Sequence, residues 1–273
     1  MQSITTLAVG VSSCQKDIDM IVKVAESWGL FLNLDKCVGM RFHRRQIKWD
    51  DLGSLSSYYL KGRTIRMVTS HKDLGVLIDL SLRFHIHIRS VIAKVSGLAS
   101  NFLKSTVSRS RTFMLTILKS HLRPIIEFAS PVWATYFIED LRALEAVQRR
   151  WTKEIEGLRD TPYDARLREL DLYSVKGRLL RSDMILCWNI FNGHSSISPN
   201  DLFLVDTRPG HRGHRFKIQH RFAYTEARKR FFSVRCARRW NGLPDAVVSA
   251  SSIGAFKTGL HRALGDELFD YDD

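Results

Sequence analysis

Cysteine is scarce in this chain. Cys14, Cys37, Cys187 and Cys236 lie far apart and form no CxxC. That spacing excludes a disulfide framework and a zinc ribbon. None of the four has an identifiable general-base partner nearby, so a thiol nucleophile is not expected. No apolar run reaches the length of a membrane span, and no apolar signal segment follows a basic start. A Gly-rich phosphate loop, a GxSxG elbow and an HExxH pair are also missing, which removes the common nucleotide-binding, hydrolase and zinc-protease signatures. Acidic residues are in deficit: 28 Asp and Glu stand against 42 Lys and Arg, for a net charge of +14. Such a surplus points to a polyanionic partner, either nucleic acid or an anionic membrane surface. No basic amphipathic helix with a long apolar face is present, which disfavours the membrane. With 44 % hydrophobic and 26 % charged residues over 273 positions, the composition is that of one large or two ordinary folded domains. The expectation is an intracellular, reduced protein, cytoplasmic or nuclear, that meets a polyanion.

The positive charge is concentrated. Between Arg208 and Trp240 there are eleven Lys and Arg against one acid, Glu226. Aromatic residues interleave with these bases: Phe216, Phe222, Tyr224, Phe231, Phe232 and Trp240. Cations for phosphates and rings for bases are what single-strand binding needs. The cluster Arg228, Lys229, Arg230, Arg235, Arg238 and Arg239 is therefore the candidate nucleic-acid-binding set. The last stretch, Ala263–Asp273, holds five acids and no base, and is expected to be a solvated, disordered tail.

Hydrophobic spacing predicts a small mixed region followed by helices. Ile18, Ile21, Val22 and Ala25 recur at helical spacing, and Gly29 stops the pattern. Leu30–Phe42 reads as strand–turn–strand, and Tyr58–Val68 as a hairpin turning at Lys61–Gly62. Asp73–Asp79 reads as one short apolar strand. From Ile88 the apolar stripes are helical: Ile88 to Phe102, then Met114 to Leu122 stopping near Pro124. Two more run from Leu141 to Ile155 and from Leu179 to Phe191. Ser195–Asn200 has linker composition, and a short helix is expected over Ser252–His261. The fold class is thus α+β, predominantly α-helical. Trp28, Trp133, Trp151 and Trp188 are read as core residues.

Three blocks of sequence have a familiar order: WGLFLNLDKCVGMRF from Trp28, YLKGRTIRMVTSHKDLGVLIDLSLRFHIH from Tyr59, and RPIIEFASPVW with LEAVQRRWTKEIEGLRD and YDARLRELDLYSVKGRLLRSD between Arg123 and Asp183. FFSVRCARRWNGLPDAVVSASSIGAFKTGL follows from Phe231. In that succession the chain resembles the downstream part of the reverse transcriptase of non-LTR (LINE-like, jockey/chicken-repeat type) retrotransposons, from Thr5 to Leu260. The resemblance implies an RNA-directed DNA polymerase parent using Mg²⁺ and dNTPs, with RNA and DNA as partners. It implies a layout too: a palm edge over residues 1–80, a helical thumb-like region over 81–155, a helical connector over 156–198, an arginine-rich nucleic-acid-binding region over 199–262, and the acidic tail over 263–273. Lys36 matches the lysine of the family's LN-x-x-K box, proposed to protonate departing pyrophosphate. Leu74 and Gly75 match the primer-grip position.

The family's catalytic box pairs two aspartates, and here Ser3 and Ile4 stand at that position. Two-metal phosphoryl transfer needs carboxylates to hold both ions, which Ser and Ile cannot do. The expectation is a fragment beginning at or just after the aspartate box, with Lys36 vestigial, no cofactor in this chain and no polymerase activity of its own. Tyr271–Asp272–Asp273 only imitates the box, because it ends an acidic tail. Asp17 with Asp19, and Asp50 with Asp51, read as surface acids. His211, His214, His220 and Cys236 fit no common zinc spacing, and neighbouring arginines would repel a dication. His85 and His87 are assigned to packing at the start of a helix. The rival readings are a non-enzymatic nucleic-acid-binding protein derived from such an element, and a helical interaction module.

Overall fold

A computed structural model describes residues 4–42, 57–134, 137–206, 213–220 and 222–271. Ser3, Asp50–Asp51, Arg208, His211 and Asp272–Asp273, singled out above, lie outside the described residues, as do Arg212 and Arg221 of the basic stretch. The chain divides into two compact units, Met1–Leu82 and Arg83–Asp273. The class is α+β with helices predominant.

The first unit opens on α1 (Ile4–Ser27), longer than the apolar spacing predicts. A 3₁₀ turn at Leu34–Lys36 follows, where the Asn33 side chain accepts from the Asp35 and Lys36 amides at 3.1 and 3.3 Å. This capped turn falls where the turn is expected and Val38–Gly39 supplies the second strand, but Leu30–Leu32 before it forms no strand. The two-residue strand β1 (Val38–Gly39) pairs in parallel with β4 (Arg66–Met67). Between them β2 (Tyr59–Leu60) and β3 (Arg63–Thr64) form the expected hairpin about Lys61–Gly62. Gln15 on α1 acts as a surrogate strand: its amide donates to the Tyr59 carbonyl at 2.8 Å and accepts from the Tyr59 amide at 2.9 Å.

Asp73–Asp79 is not one strand. It is the turn and second arm of an antiparallel hairpin, β5 (Ser70–Asp73) with β6 (Val76–Asp79). Leu74 and Gly75 have φ of 44° and 95°, the double positive that a two-residue turn requires. Trp28 is a second correction. It is 73 % exposed; among the described side chains of α1 only Ala25 turns fully inward, and Met20, Ile21 and Val24 are exposed beside it.

The second unit begins with α2 (His85–Ser105), whose stripe Ile88, Val91, Val95 and Ala99 is buried as its spacing predicts. The next stripe does not stop at Pro124. Helix α3 (Arg111–Ile117) runs into a π-helical turn over Leu118–Leu122, then α4 (Arg123–Glu127). In the wider turn the Arg123 amide reaches back to the Leu118 carbonyl. That register carries the helix past a residue with no amide to donate and a ring that crowds the preceding turn. After α5 (Ser130–Trp133) come α6 (Ile138–Lys153), α7 (Tyr163–Glu169) and α8 (Val175–Phe191), which ends at Asn192–Gly193 with Gly193 at φ 72°. Short helices follow: α9 (Pro199–Leu202), α10 (Glu226–Arg230), α11 (Phe232–Arg235), α12 (Ala237–Gly242) and α13 (Asp245–Val248). The longer α14 (Ile253–Leu264) covers the expected helix, with Ser252 as its cap.

Residues on both sides of Ser195–Asn200 share one core. Phe191 stacks on Trp240 at 5.2 Å and on Phe203 at 5.4 Å, and Trp188 stacks on Phe256 at 5.5 Å. Asn241 of the WNG motif clamps this core. Its amide donates to the Ile218 carbonyl at 2.7 Å and its oxygen accepts from the Ile218 amide at 2.9 Å.

The acidic end is not a solvated tail over the described residues. Leu268 is completely buried, and the Ser174 amide and hydroxyl donate to the carbonyls of Leu268 and Asp270 at 3.0 and 2.7 Å. Asp266, Glu267 and Asp270 meet Arg168, Arg239 and Lys176. Leu268, Phe269 and Tyr271 supply the apolar anchor that acid counting overlooks; the Tyr271 ring packs on Tyr163 at 5.0 Å. Tyr271 is thus a packing residue.

Candidate nucleic-acid interface

The arginine-rich region is mounted on the α8 core, and the structure sorts its residues by burial. Phe232 and Trp240 are core, and Trp240 donates its indole N–H to the Phe216 carbonyl at 2.7 Å. Phe222 and Tyr224 are 78 % and 80 % exposed, with ring centroids 4.8 Å apart, and they flank the buried Ala223. The alternation follows from an extended segment, in which neighbours point to opposite faces. Phe231 is also exposed, with the Arg228 guanidinium over its ring at 5.1 Å.

The six predicted bases separate likewise. Lys229, Arg230, Arg235 and Arg239 line one cleft of about 420 Å³ together with Asp183, Glu226 and Glu267, whereas Arg228 and Arg238 lie outside it. Arg235 faces inward: it grips Asp183 with two bonds of 2.8 and 2.9 Å and donates to the Pro131 and Arg230 carbonyls at 2.8 Å each. The Asp183 side chain is 1 % exposed, so this pair holds α11 to α8. Lys229 and Arg230 share Glu226 at 2.7 and 2.8 Å and hold its carboxyl below the usual range, the Lys229 hydrogen bond most of all. Arg230 also sits over the Phe137 ring at 3.6 Å, and Arg239 pairs with Glu267 at 2.5 Å. Arg238 is exposed and has no acidic partner among the described residues.

The other residues of interest are dispersed. Lys36 is exposed on the capped turn, and Leu74 is 89 % exposed at its hairpin tip. His85 Nδ1 lies 2.6 Å from Asp140, and buried His87 packs on Trp133. His214 is buried with Nε2 against the Trp240 carbonyl at 3.0 Å, and burial lowers its pKa below the ordinary 6.5. Cys187 and Cys236 are buried free thiols, and burial pushes Cys187 up. Asp17 and Asp19 are exposed on α1.

Among the described residues no three His, Cys, Asp or Glu gather into a set that could hold a metal. The described residues therefore offer no carboxylate set for a Mg²⁺ pair, and no chemical step is assigned through one. Also among the described residues, no helix is long and apolar enough to cross a membrane.

One feature that spacing did not reveal lies elsewhere in the helical unit. Glu145 is buried. It accepts from the Tyr163 hydroxyl and, at 2.7 Å, from the Val175 amide; burial raises its pKa, against the Tyr163 bond that lowers it. Gln148 donates to Tyr163 Oη and to the Tyr173 carbonyl, both at 3.1 Å, and accepts from Arg178 at 2.7 Å. Arg178 continues to Glu127, which also receives Arg123 at 2.9 Å. The available signal was Gln148, a polar residue inside an apolar stripe.

Over 173 residues the sequence is 25 % identical to the RNA-directed DNA polymerase from mobile element jockey of Drosophila melanogaster. The chain is related to non-LTR reverse transcriptases. The match takes in 61 % of this chain but 18 % of that jockey polymerase, so the chain spans under a fifth of its relative. No family model matches, and no solved structure matches. Within the relationship to jockey, the RPIIEFASPVW and KGRLLRSD blocks acquire a structural meaning. Arg123 and Glu127 come from the first, Arg178 and Asp183 from the second, and Glu127 joins the two blocks through its bonds to both arginines.

Proposed function

We propose that this chain is a nucleic-acid-holding part of a non-LTR reverse transcriptase, and that it grips RNA or a primer–template through the region around α10–α12. The observation that carries this reading is the exposed ring pair Phe222–Tyr224, set just before a helix bearing Arg228, Lys229 and Arg230 on a rigid core. Rings of this kind stack on bases of any sequence, while the cations neutralise the phosphates between them. In this reading residues 81–155 serve as the thumb, Leu74–Gly75 as the primer-grip turn, and Lys36 keeps its place in the box without a reaction to serve. The exposed face of α1, with Trp28 and Phe31 beyond it, is then where further palm strands pack. These 273 residues do not polymerise DNA alone, because Ser3 and Ile4 replace the metal-binding pair.

The test is fluorescence anisotropy with a labelled single-stranded RNA, comparing the unmodified chain with Phe222→Ala and Tyr224→Ala. Each base–ring stack is worth about 1–3 kcal/mol, so each substitution should weaken binding by roughly 5- to 150-fold. Unchanged affinity in both variants, with a normal circular dichroism spectrum, refutes the stacking role. No binding by the unmodified chain leaves the helical interaction module as the better reading.

A further inference from the structure

A second cleft, of about 380 Å³, lies in the helical unit between the Lys119–Glu127 segment and α8. Its charged lining is Lys119, Arg123, Arg178 and Arg181 against Glu127 and Asp171, four bases to two acids. Of the two acids, Glu127 is already engaged, since it accepts from Arg123 and Arg178.

The arginines are held in place from behind. The Arg178 side chain is 3 % exposed; its Nε is fixed by Glu127, and its Nη1 by Gln148 and the Tyr173 carbonyl at 2.7 Å each. Its Nη2, buried, finds no acceptor among the described residues, and neither does the buried Nε of Arg181. Burial pulls Arg178 below its usual pKa, with Glu127 opposing. Buried polar groups are nearly always hydrogen-bonded, so two orphaned guanidinium donors lining one cleft call for an acceptor. A net surplus of two positive charges suits a dianion. Guanidinium forks, presented from two elements, suit the oxygens of a phosphate better than a single carboxylate.

We infer that this cleft is a phosphate-binding site, with Arg178 as its fixed donor and Arg181, Arg123 and Lys119 closing on the oxyanion. The inference does not rest on the nucleic-acid reading, because a phosphate group can come from free phosphate or from a nucleic-acid end. It also differs in place from the α10–α12 region, which lines the other cleft.

Titration calorimetry with inorganic phosphate, against sodium chloride at matched ionic strength, tests it on the full chain. The unmodified chain should bind phosphate and not chloride. Arg181→Gln and Lys119→Gln, both at the cleft mouth, should each weaken phosphate about ten-fold, the worth of one charge-assisted hydrogen bond. Arg238→Gln, outside the cleft, should leave it unchanged. Arg178→Gln is not the deciding variant, since losing the Glu127 contact threatens the fold. Competition by a 5′-phosphorylated oligonucleotide, and not by its 5′-hydroxyl form, would support the site and assign it to a nucleic-acid end. Failure of both to compete would support it as a site for free phosphate. No phosphate binding by the unmodified chain, or undiminished binding in both mouth variants, means that water alone satisfies these donors and overturns the inference.

Discussion

Gly177, in the KGRLL block of α8, offers a test in which two accounts predict opposite signs. On helix propensity alone, Gly177→Ala should stabilise the protein by up to about 1 kcal/mol. In the folded chain, however, a Cβ at Gly177 would sit 2.1 Å from the Leu268 carbonyl oxygen and 2.7 Å from its carbonyl carbon. Backbone cannot yield there without undocking the acidic end. Undocking exposes the Leu268 side chain, worth about 1.5–3 kcal/mol. It also breaks the two bonds from Ser174, at about 1 kcal/mol each. Set against the propensity gain, the net loss is about 3 kcal/mol. For a helical unit of this size that lowers the melting temperature by roughly 10 °C. Urea unfolding followed by tryptophan fluorescence gives the free energy, and limited proteolysis near Asp266 reports the undocked end directly. A Gly177→Ala protein that is more stable than the parent, with its C-terminal segment still protected, would refute the docked geometry.

Two further outcomes follow from buried charge. Arg235→Gln leaves the Asp183 carboxylate, 1 % exposed, without its guanidinium and should cost about 3–5 kcal/mol, with much of the loss recovered by adding Asp183→Asn; equal stability of the single variant and the parent, by urea unfolding, would place Arg235 at the surface. His214 has its pKa lowered by burial, so the unfolded chain takes up the proton first. Its contribution is full above about pH 6.5 and is lost as pH falls from there through the lowered folded value. His214→Gln, which can still donate to the Trp240 carbonyl, should flatten that acid-side loss, and unchanged pH profiles would remove His214 as its source.

The helical half was legible because its apolar residues recur at 3.6-residue spacing: Val95, Leu144, Trp151 and Met184 all lie in the stripes that predicted them buried. Lys61–Gly62 was legible for a different reason, since its hairpin is decided by a local turn. Trp28 was misread because a hydrophobic residue at a helix end carries no record of whether another element covers it. The acidic end was misread because charge counting ignores Leu268, Phe269 and Tyr271 between the acids. In the basic cluster, sequence could not separate Arg235 from Arg238, three residues apart. Asp183, fifty-two residues before Arg235, decides that difference. Long-range polar pairing of that sort leaves no period. The Arg123–Glu127–Arg178 network escaped notice for the same reason.

The central claim is that the bases of α10–α12 hold nucleic acid, and the salt dependence of binding tests it most directly. The variant to compare with the parent replaces Arg228, Lys229, Arg230, Arg238 and Arg239 with Gln and keeps Arg235, so that the core pair stays intact. If four of the five meet phosphates on a single strand, the slope of log K against log salt should flatten by about 3. Anisotropy with one labelled RNA, at several salt concentrations, should therefore give a weaker and shallower line for the variant. Parallel lines of equal slope would contradict the claim.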